Sequence, residues 1–223
     1  FHLAAQASNE KSFSNPINDL NINTKSILLL LELAKRTNCK KIIFTSSMGV
    51  YNGTFNKDYI FSEKDILNPN TFYSINKLSC EYYLKLYKNY YNIDYTIFRL
   101  FNCYGPGQNL SNLKQGMISI YLRQFIDEKF DKVLIKGDIN RFRDFIHVDD
   151  VVQILFDSIK NEQFLNETIN LGTGIKTNIY TVIKLLKKYG NYKKEIIIKG
   201  NTIGDMFGSV ADNKKLQQIY DNN

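Results

Sequence analysis

A parallel, doubly wound α/β sheet is the fold class the sequence predicts, on three observations. Short apolar runs of strand length alternate with longer helical segments along the chain of 223 residues. The helical segments between successive strands are long enough to act as the crossovers that parallel strands require. No internal repeat and no low-complexity linker breaks the rhythm. With 43% hydrophobic and 13% aromatic residues, the chain has enough apolar material for one large domain, or for one with a small second lobe.

The elements follow in order. "FHLAA" reads as the end of a buried strand running into a loop, so a protein is not expected to begin there. "NPINDLNINTKSILLLLELAKRTNC", Asn15 to Cys39, reads as one helix with Pro16 in its first turn, where a missing N–H costs nothing. "KKIIFTSS" follows as a buried strand, and "NTFYSINKLSCEYYLKLYKNYY", Asn70 to Tyr91, as a second helix. "DYTIFRLFNCYG", Asp94 to Gly105, is a second strand ending in a Gly-Pro-Gly turn. Beyond it the pattern loosens into a helix around Met117 to Glu128, a short strand at "KVLIKG", and "RFRDFIHVDDVVQILFDSI" as strand into helix, with Asp149 or Asp150 as the N-cap. "ETINLG", "TNIYTVIKLLKKYG", "KEIIIKG" and "DNKKLQQIY" continue the alternation in shorter units, which predicts the small second lobe.

Charge and cysteine usage narrow the function classes. The 29 Lys and Arg against 22 Asp and Glu give a net charge of +7, but the lysines are scattered, so no nucleic-acid partner is expected. The longest apolar run, Ile27 to Leu31, is far too short to span a bilayer, so no membrane partner is expected either. Cys39, Cys80 and Cys103 are odd in number and widely spaced, which points away from disulfides and metal sites and toward a reducing, cytoplasmic setting.

In a parallel sheet, ligands sit beyond the carboxyl ends of the strands, and Ser47 and Asn102 fall at such ends. Tyr73 and Lys77, at i and i+4, share one helix face about 6 Å apart at Cβ. Tyrosine titrates near 10, so its use as a base needs neighbouring positive charge, which Lys77 and an oxidised nicotinamide ring would supply together. The Tyr-x-x-x-Lys spacing alone recurs by chance in a chain with 15 tyrosines. Arg143 has the planar fork that suits a pyrophosphate; a pair with Asp144 or Asp149 is its structural alternative. His147 lacks triad spacing and reads as structural, and "LGTG" around Gly172 and Gly174 reads as a tight turn.

Taken in order, "HLAA", "SSMGVY", "FYSINK", "RLFNCYGPGQ" and "RFRDFIHVDDVV" resemble the extended short-chain dehydrogenase/reductase family, in its NAD-dependent epimerase/dehydratase branch, over nearly the whole chain. The resemblance implies NAD as cofactor, with Ser47, Tyr73 and Lys77 catalytic. It implies Ala4, Ala5, Asn23 and Ser46, with Tyr73 and Lys77, as cofactor-binding. Ser47, Asn102 and Arg143 would meet a nucleotide-sugar substrate, expected to be UDP-linked. It further implies residues 1–105 and about 144–175 as the C-terminal part of a Rossmann domain, about 106–143 and 176–223 as the nucleotide-sugar lobe, and homodimers formed through the Asn15–Cys39 and Asn70–Tyr91 helices.

Three departures qualify it. No GxxGxxG turn occurs, so the first βαβ units, on the order of 60 residues, are expected to precede Phe1 in a longer protein. Asn52 replaces a usual glycine, and Thr202 stands where the family often has arginine. As to the branch within the family, dehydratases typically carry an Asp-Glu pair where this chain has Met48–Gly49, which disfavours dehydration. A nucleotide-sugar epimerase is therefore the expected activity. An NADP-dependent nucleotide-sugar reductase or a dehydratase is the nearer alternative, and an inactive fragment or binding module the more distant one.

Overall fold

The computed structural model describes residues 1–51, 60–200 and 206–221; Asn52 and Thr202 lie outside them. The predicted helix from Asn15 to Cys39 is divided. Helix α1 (Asn9–Ser14) precedes it, capped by Ser8, whose hydroxyl accepts the Lys11 N–H. Asn15 ends that helix and caps the next, α2 (Pro16–Leu20), by accepting the Asn18 N–H at 3.0 Å. A π-helical turn at Asn21–Lys25 joins α2 to α3 (Ser26–Arg36), which buries Ile27, Leu31 and Ala34 on one face. The chain then reverses at Asn38, whose φ of 56° lies in the left-handed region asparagine tolerates.

Strand β1 (Lys41–Ser47) leads into α4 (Phe72–Tyr91), where the Thr71 hydroxyl accepts the Ser74 N–H at 3.1 Å as N-cap. β2 (Asp94–Leu100) runs parallel to β1, with Ser47 level with Leu100. The expected single strand from Asp94 to Gly105 breaks at Phe101. There the chain changes partners: the Phe101 N–H still reaches Leu171, but the Asn102 N–H donates to the Asp144 carbonyl. Asn102–Tyr104 is a separate strand, β3.

The following elements are α5 (Met117–Ile126), β4 (Lys132–Ile135), β5 (Phe142–Arg143), β6 (Phe145–His147) and α6 (Val148–Asp157). β3 pairs with β6. His147, not Asp149 or Asp150, caps α6: its Nδ1 accepts the Asp149 N–H at 3.3 Å. The two aspartates lie in the first turn, facing the positive end of the helix. β7 (Glu167–Leu171) completes the main sheet in the order β1-β2-β7, all parallel, with Leu171 level with Leu100. His2 extends this sheet by a parallel bridge to Phe44, as the buried strand end in "FHLAA" predicts.

The chain closes with β8 (Thr177–Asn178), α7 (Ile179–Gly190), β9 (Glu195–Ile198), β10 (Gly208–Ser209) and α8 (Lys214–Asp221). β4 pairs with β9, and α5 and α7 pack a separate core there around Tyr121, Phe125, Val133, Ile135 and Ile183. α8 does not join that lobe, although it falls within the expected 176–223 span. Leu216 and Ile219, three apart on one face, seat it instead on Phe164 and Leu171 in the core of the main sheet. Among the described residues no helix is long and apolar enough to cross a membrane, and no cluster of His, Cys, Asp and Glu is placed to hold a metal.

Candidate active site

The register of the main sheet sets Ser47, Leu100 and Leu171 level, so the strand ends form one rim. Ser47 opens a tight turn over Met48–Val50, its hydroxyl accepting the Gly49 N–H at 3.2 Å. A Cβ on Gly49 would lie 2.5 Å from the Ser74 hydroxyl, so only glycine lets this turn press against the start of α4. Across that contact the Ser47 and Tyr73 side chains come close enough for the serine hydroxyl to act on the phenol. The structure thus brings Ser47, Tyr73 and Lys77 together.

Their electrostatics are set by burial. The Lys77 side chain is only 3% exposed; its Nζ donates to the Thr45 carbonyl at 2.8 Å and lies 4.6 Å from the Phe44 ring centre. Burial pulls its pKa down to about 8, opposed by the Cys80, Asp19 and Glu81 side chains. Tyr73 is pushed up to about 12, chiefly by burial, with the Ser47 hydroxyl acting the other way. Lys77 by itself therefore does not bring the phenol into the neutral range; its Nζ is 6.0 Å from the Tyr73 ring centre and turned toward Thr45. A second cation is required for that.

The lowered lysine pKa makes a testable demand on stability. Between about pH 8 and the ordinary lysine value near 10.4, the unfolded chain binds the proton that folded Lys77 has released, so Lys77 makes stability rise with pH there. Below pH 8 its buried charge costs about 3 kcal/mol, from 1.36 kcal/mol per pKa unit. K77M is expected to be the more stable protein at pH 7 and to lose that advantage by pH 10, as read by urea unfolding at both values. An equal stability difference at the two pH values would contradict the assignment.

Asn102 and Arg143 meet in a cavity of about 430 Å³ that reaches the rim at Met48, the neighbour of Ser47. Among the described residues its walls carry Lys114, Lys136, Arg141 and Arg143 against one carboxylate, Glu10, which pairs with Lys114 at 2.9 Å. The Asn102 Nδ2 is buried there without a hydrogen-bond partner, a donor awaiting an acceptor. Arg143 is 3% exposed, with Nη1 on the Phe142 carbonyl at 2.7 Å and Nη2 on the Met206 carbonyl at 2.8 Å. Burial, then the charge of Arg141, lowers it to about 10, which leaves it charged at neutral pH. The carboxylates of its structural alternative are engaged elsewhere. Asp144 accepts from Thr173, Gly174 and Ala211, and Asp149 is a surface group 3.4 Å from His147. A Cβ on Gly172 would come within 2.7 Å of Asp144, so the "LGTG" turn serves this packing.

The other predicted positions are distributed unevenly. Ala4 is exposed and Ala5 half-buried in the irregular segment after His2. Asn23 sits in the π-helical turn, where its amide donates to the Gln6 carbonyl and to Asp19, which ties that segment to the helices. Ser46 points to the opposite face from Ser47, its hydroxyl donating to Glu81 at 2.6 Å. Only its backbone is left to face a cofactor. Sequence reading missed Lys114, Lys136, Arg141 and Tyr121 in the cavity; their shared wall is made by tertiary contacts between segments with no common motif.

A family model described as the NAD dependent epimerase/dehydratase family matches residues 1–172. The chain belongs to this family. A putative UDP-glucose 4-epimerase of Methanocaldococcus jannaschii is 32% identical over 219 residues, covering 98% of this chain and 69% of the relative. The UDP-glucose 4-epimerase of Thermotoga maritima, solved with UDP-glucose, superposes with a TM-score of 0.91 at 35% identity, over 98% of this chain and 69% of that one. That of Thermus thermophilus, solved with NAD, gives 0.87 at 25% identity, over 97% and 69%. The epimerase/dehydratase chain described here is accordingly an NAD-dependent epimerase with a Rossmann-like sheet.

The residues present fit the nicotinamide end of that cofactor. Among the described residues Lys77 uses its ammonium on a single acceptor, the Thr45 carbonyl, and so has donors to spare for ribose hydroxyls. The raised Tyr73 phenol is a group that a neighbouring cation would bring into range. No GxxGxxG turn for the pyrophosphate occurs within the 223 residues.

Proposed function

We propose that this epimerase interconverts UDP-glucose and UDP-galactose by inverting the sugar at C4. The observation that carries the reading is the cation-walled cavity ending beside the Ser47–Tyr73 pair. A pyrophosphate is the ligand such a wall selects. Arg143 and Asn102 hold it, and the sugar then extends past Met48 to the rim. NAD, when bound, supplies the reversible uptake and return of a hydride. Tyr73 takes the proton of the sugar hydroxyl, and Ser47, beside the phenol, holds that hydroxyl. Lys77 orients the nicotinamide ribose and adds positive charge beside Tyr73. Anchoring at the diphosphate leaves the sugar free to present either face, so the proton can return to a product of opposite configuration. The reaction leaves no net redox change. Met48 and Gly49 supply neither acid nor base, which argues against elimination of water.

The test is incubation of the purified protein with UDP-glucose and NAD, followed by NMR of the anomeric protons. UDP-galactose should appear without accumulation of NADH. Stoichiometric consumption of NADPH with a reduced sugar would establish the reductase reading instead. Retention of the UDP-sugar with no turnover would establish a binding module.

The protein acts as a dimer in this reading. Ile22, Leu29 and Leu33 on one side, and Ile75, Tyr82, Leu86 and Tyr90 on α4, are exposed at seven- and four-residue intervals on adjacent helices. Such paired stripes fit a second copy of the same two helices. L33E combined with L86E is expected to convert a dimer into a monomer in sedimentation velocity. A monomeric parent protein would refute the dimer.

A further inference from the structure

Asp19 is a buried charge that the reaction above does not use. It lies on α2, 1% exposed, and its carboxylate is held by three amide groups from three parts of the chain. Oδ1 accepts from Gln6 and from Asn23 at 3.1 Å; Oδ2 accepts from Asn76 at 2.6 Å. Asn76 immediately precedes Lys77 and is itself steadied by the Thr24 hydroxyl, which donates to it at 2.9 Å. All three partners present N–H groups, the pattern an ionised carboxylate requires. None carries a charge. A buried carboxylate held only by neutral donors is costly.

The groups around Lys77 show where that field acts. Glu81, one turn further along α4, is committed to Arg99 at 2.7 Å. The Cys80 thiol is pushed up by burial to about 11, and His2, stacked on Phe44, is held below its ordinary value by burial and by Lys77. Neither carries charge at neutral pH. Among the described residues, Asp19 is thus the anion acting on Lys77 that has no cation bonded to it. The count also closes with cofactor present: Lys77 and an oxidised nicotinamide contribute two positive charges, and Asp19 and a Tyr73 phenolate two negative ones.

We propose that Asp19 is the buried counter-charge of the active site, a positioning residue whose carboxylate, clamped by Gln6, Asn23 and Asn76, keeps Lys77 charged beside Tyr73. The proposal deepens the catalytic reading of Lys77 given above and rests on it for its functional meaning. Its physical content is a coupling between two side chains, which can be measured without turnover.

The experiment titrates Lys77 in the 223-residue chain carrying lysine labelled with carbon-13 at Cε, its resonance assigned by its loss in K77M. The parent midpoint is expected near 8. D19N keeps the shape and removes the charge: its oxygen still accepts from Gln6 and Asn23, and Asn76 can rotate its amide to accept from the new NH2, with Thr24 accepting in turn. Its Lys77 midpoint is expected to fall by about one unit. D19A, with no amide to mispair, is expected to shift it in the same direction. A midpoint that stays in place in either folded variant overturns the proposal. Should neither variant fold, the Cγ resonance of Asp19 in the parent chain decides: an ionised carboxylate throughout the neutral range supports the proposal, and a protonated one ends it. In turnover assays the alkaline limb of the D19N pH profile should move down with Lys77. A purely structural role would lower the plateau and leave the limb where it is. Absence of epimerase activity in the parent protein would count against the proposed reaction and would leave the Lys77 titration intact.

Discussion

Y73F is expected to lower kcat by roughly a hundred- to ten-thousand-fold, the span a positioned general base contributes, while the protein stays folded. Phenylalanine fills the same space, and the loss is one hydroxyl whose neighbour, Ser47, keeps its contact with the Gly49 N–H. The stability change should not exceed about 1 kcal/mol, the net value of a single hydrogen bond. Affinity for UDP should hold, because the diphosphate wall around Arg143 and Asn102 makes no use of the phenol. A change confined to KM would show that Tyr73 only binds the sugar. Turnover within tenfold of the parent would show that another group takes the proton. The phenol starts from about 12, so its use as a base depends on added positive charge. The acidic limb of the parent pH profile should therefore be absent from the residual Y73F activity.

Much of this site was legible in the sequence because it is carried by local spacing. Tyr73 and Lys77 share a helix face by their four-residue interval, and Ser47 ends a strand that any apolar count would find. The π-helical turn at Asn21–Lys25 and the break at Phe101 were not legible. Each is decided by distant partners: Thr24 and Asn23 by Asn76 and Gln6, and Asn102 by the carbonyl of Asp144. The N-cap of α6 was missed for a local reason. Aspartate is the better cap by propensity, but the extended conformation at His147 and the reach of its Nδ1 to the Asp149 N–H place the cap two residues before Asp149 and three before Asp150. Ser46 and Ser47 illustrate the limit of motif reading. Adjacent strand residues face opposite sides, so one hydroxyl belongs to the rim and the other to the core.

The core that Ser46 faces gives the largest expected effect on stability. Glu81 and Arg99 form a bidentate pair, Nε to Oε1 at 3.1 Å and Nη2 to Oε2 at 2.7 Å, with side chains 0% and 2% exposed. Arg99 Nη1 donates to the Tyr51 hydroxyl at 2.9 Å, which donates to Asn170 at 2.6 Å, so the chain of bonds crosses from α4 through β2 to β7. Removing one partner leaves the other charge buried without compensation. E81A is expected to lose about 3–5 kcal/mol in urea unfolding. Replacing both partners, as E81M with R99M, is expected to restore stability to near the parent value, since a buried pair gains little over apolar groups of similar volume. If the double variant is as unstable as E81A, the cost comes from lost packing and not from a stranded charge. Glu81 lies eight residues after Tyr73 and four after Lys77, and it anchors Ser46 beside Ser47. The stable double variant should therefore still turn over more slowly than the parent. Its deficit would measure what the pair contributes by fixing β1 and α4 in register, a contribution that stability alone does not explain.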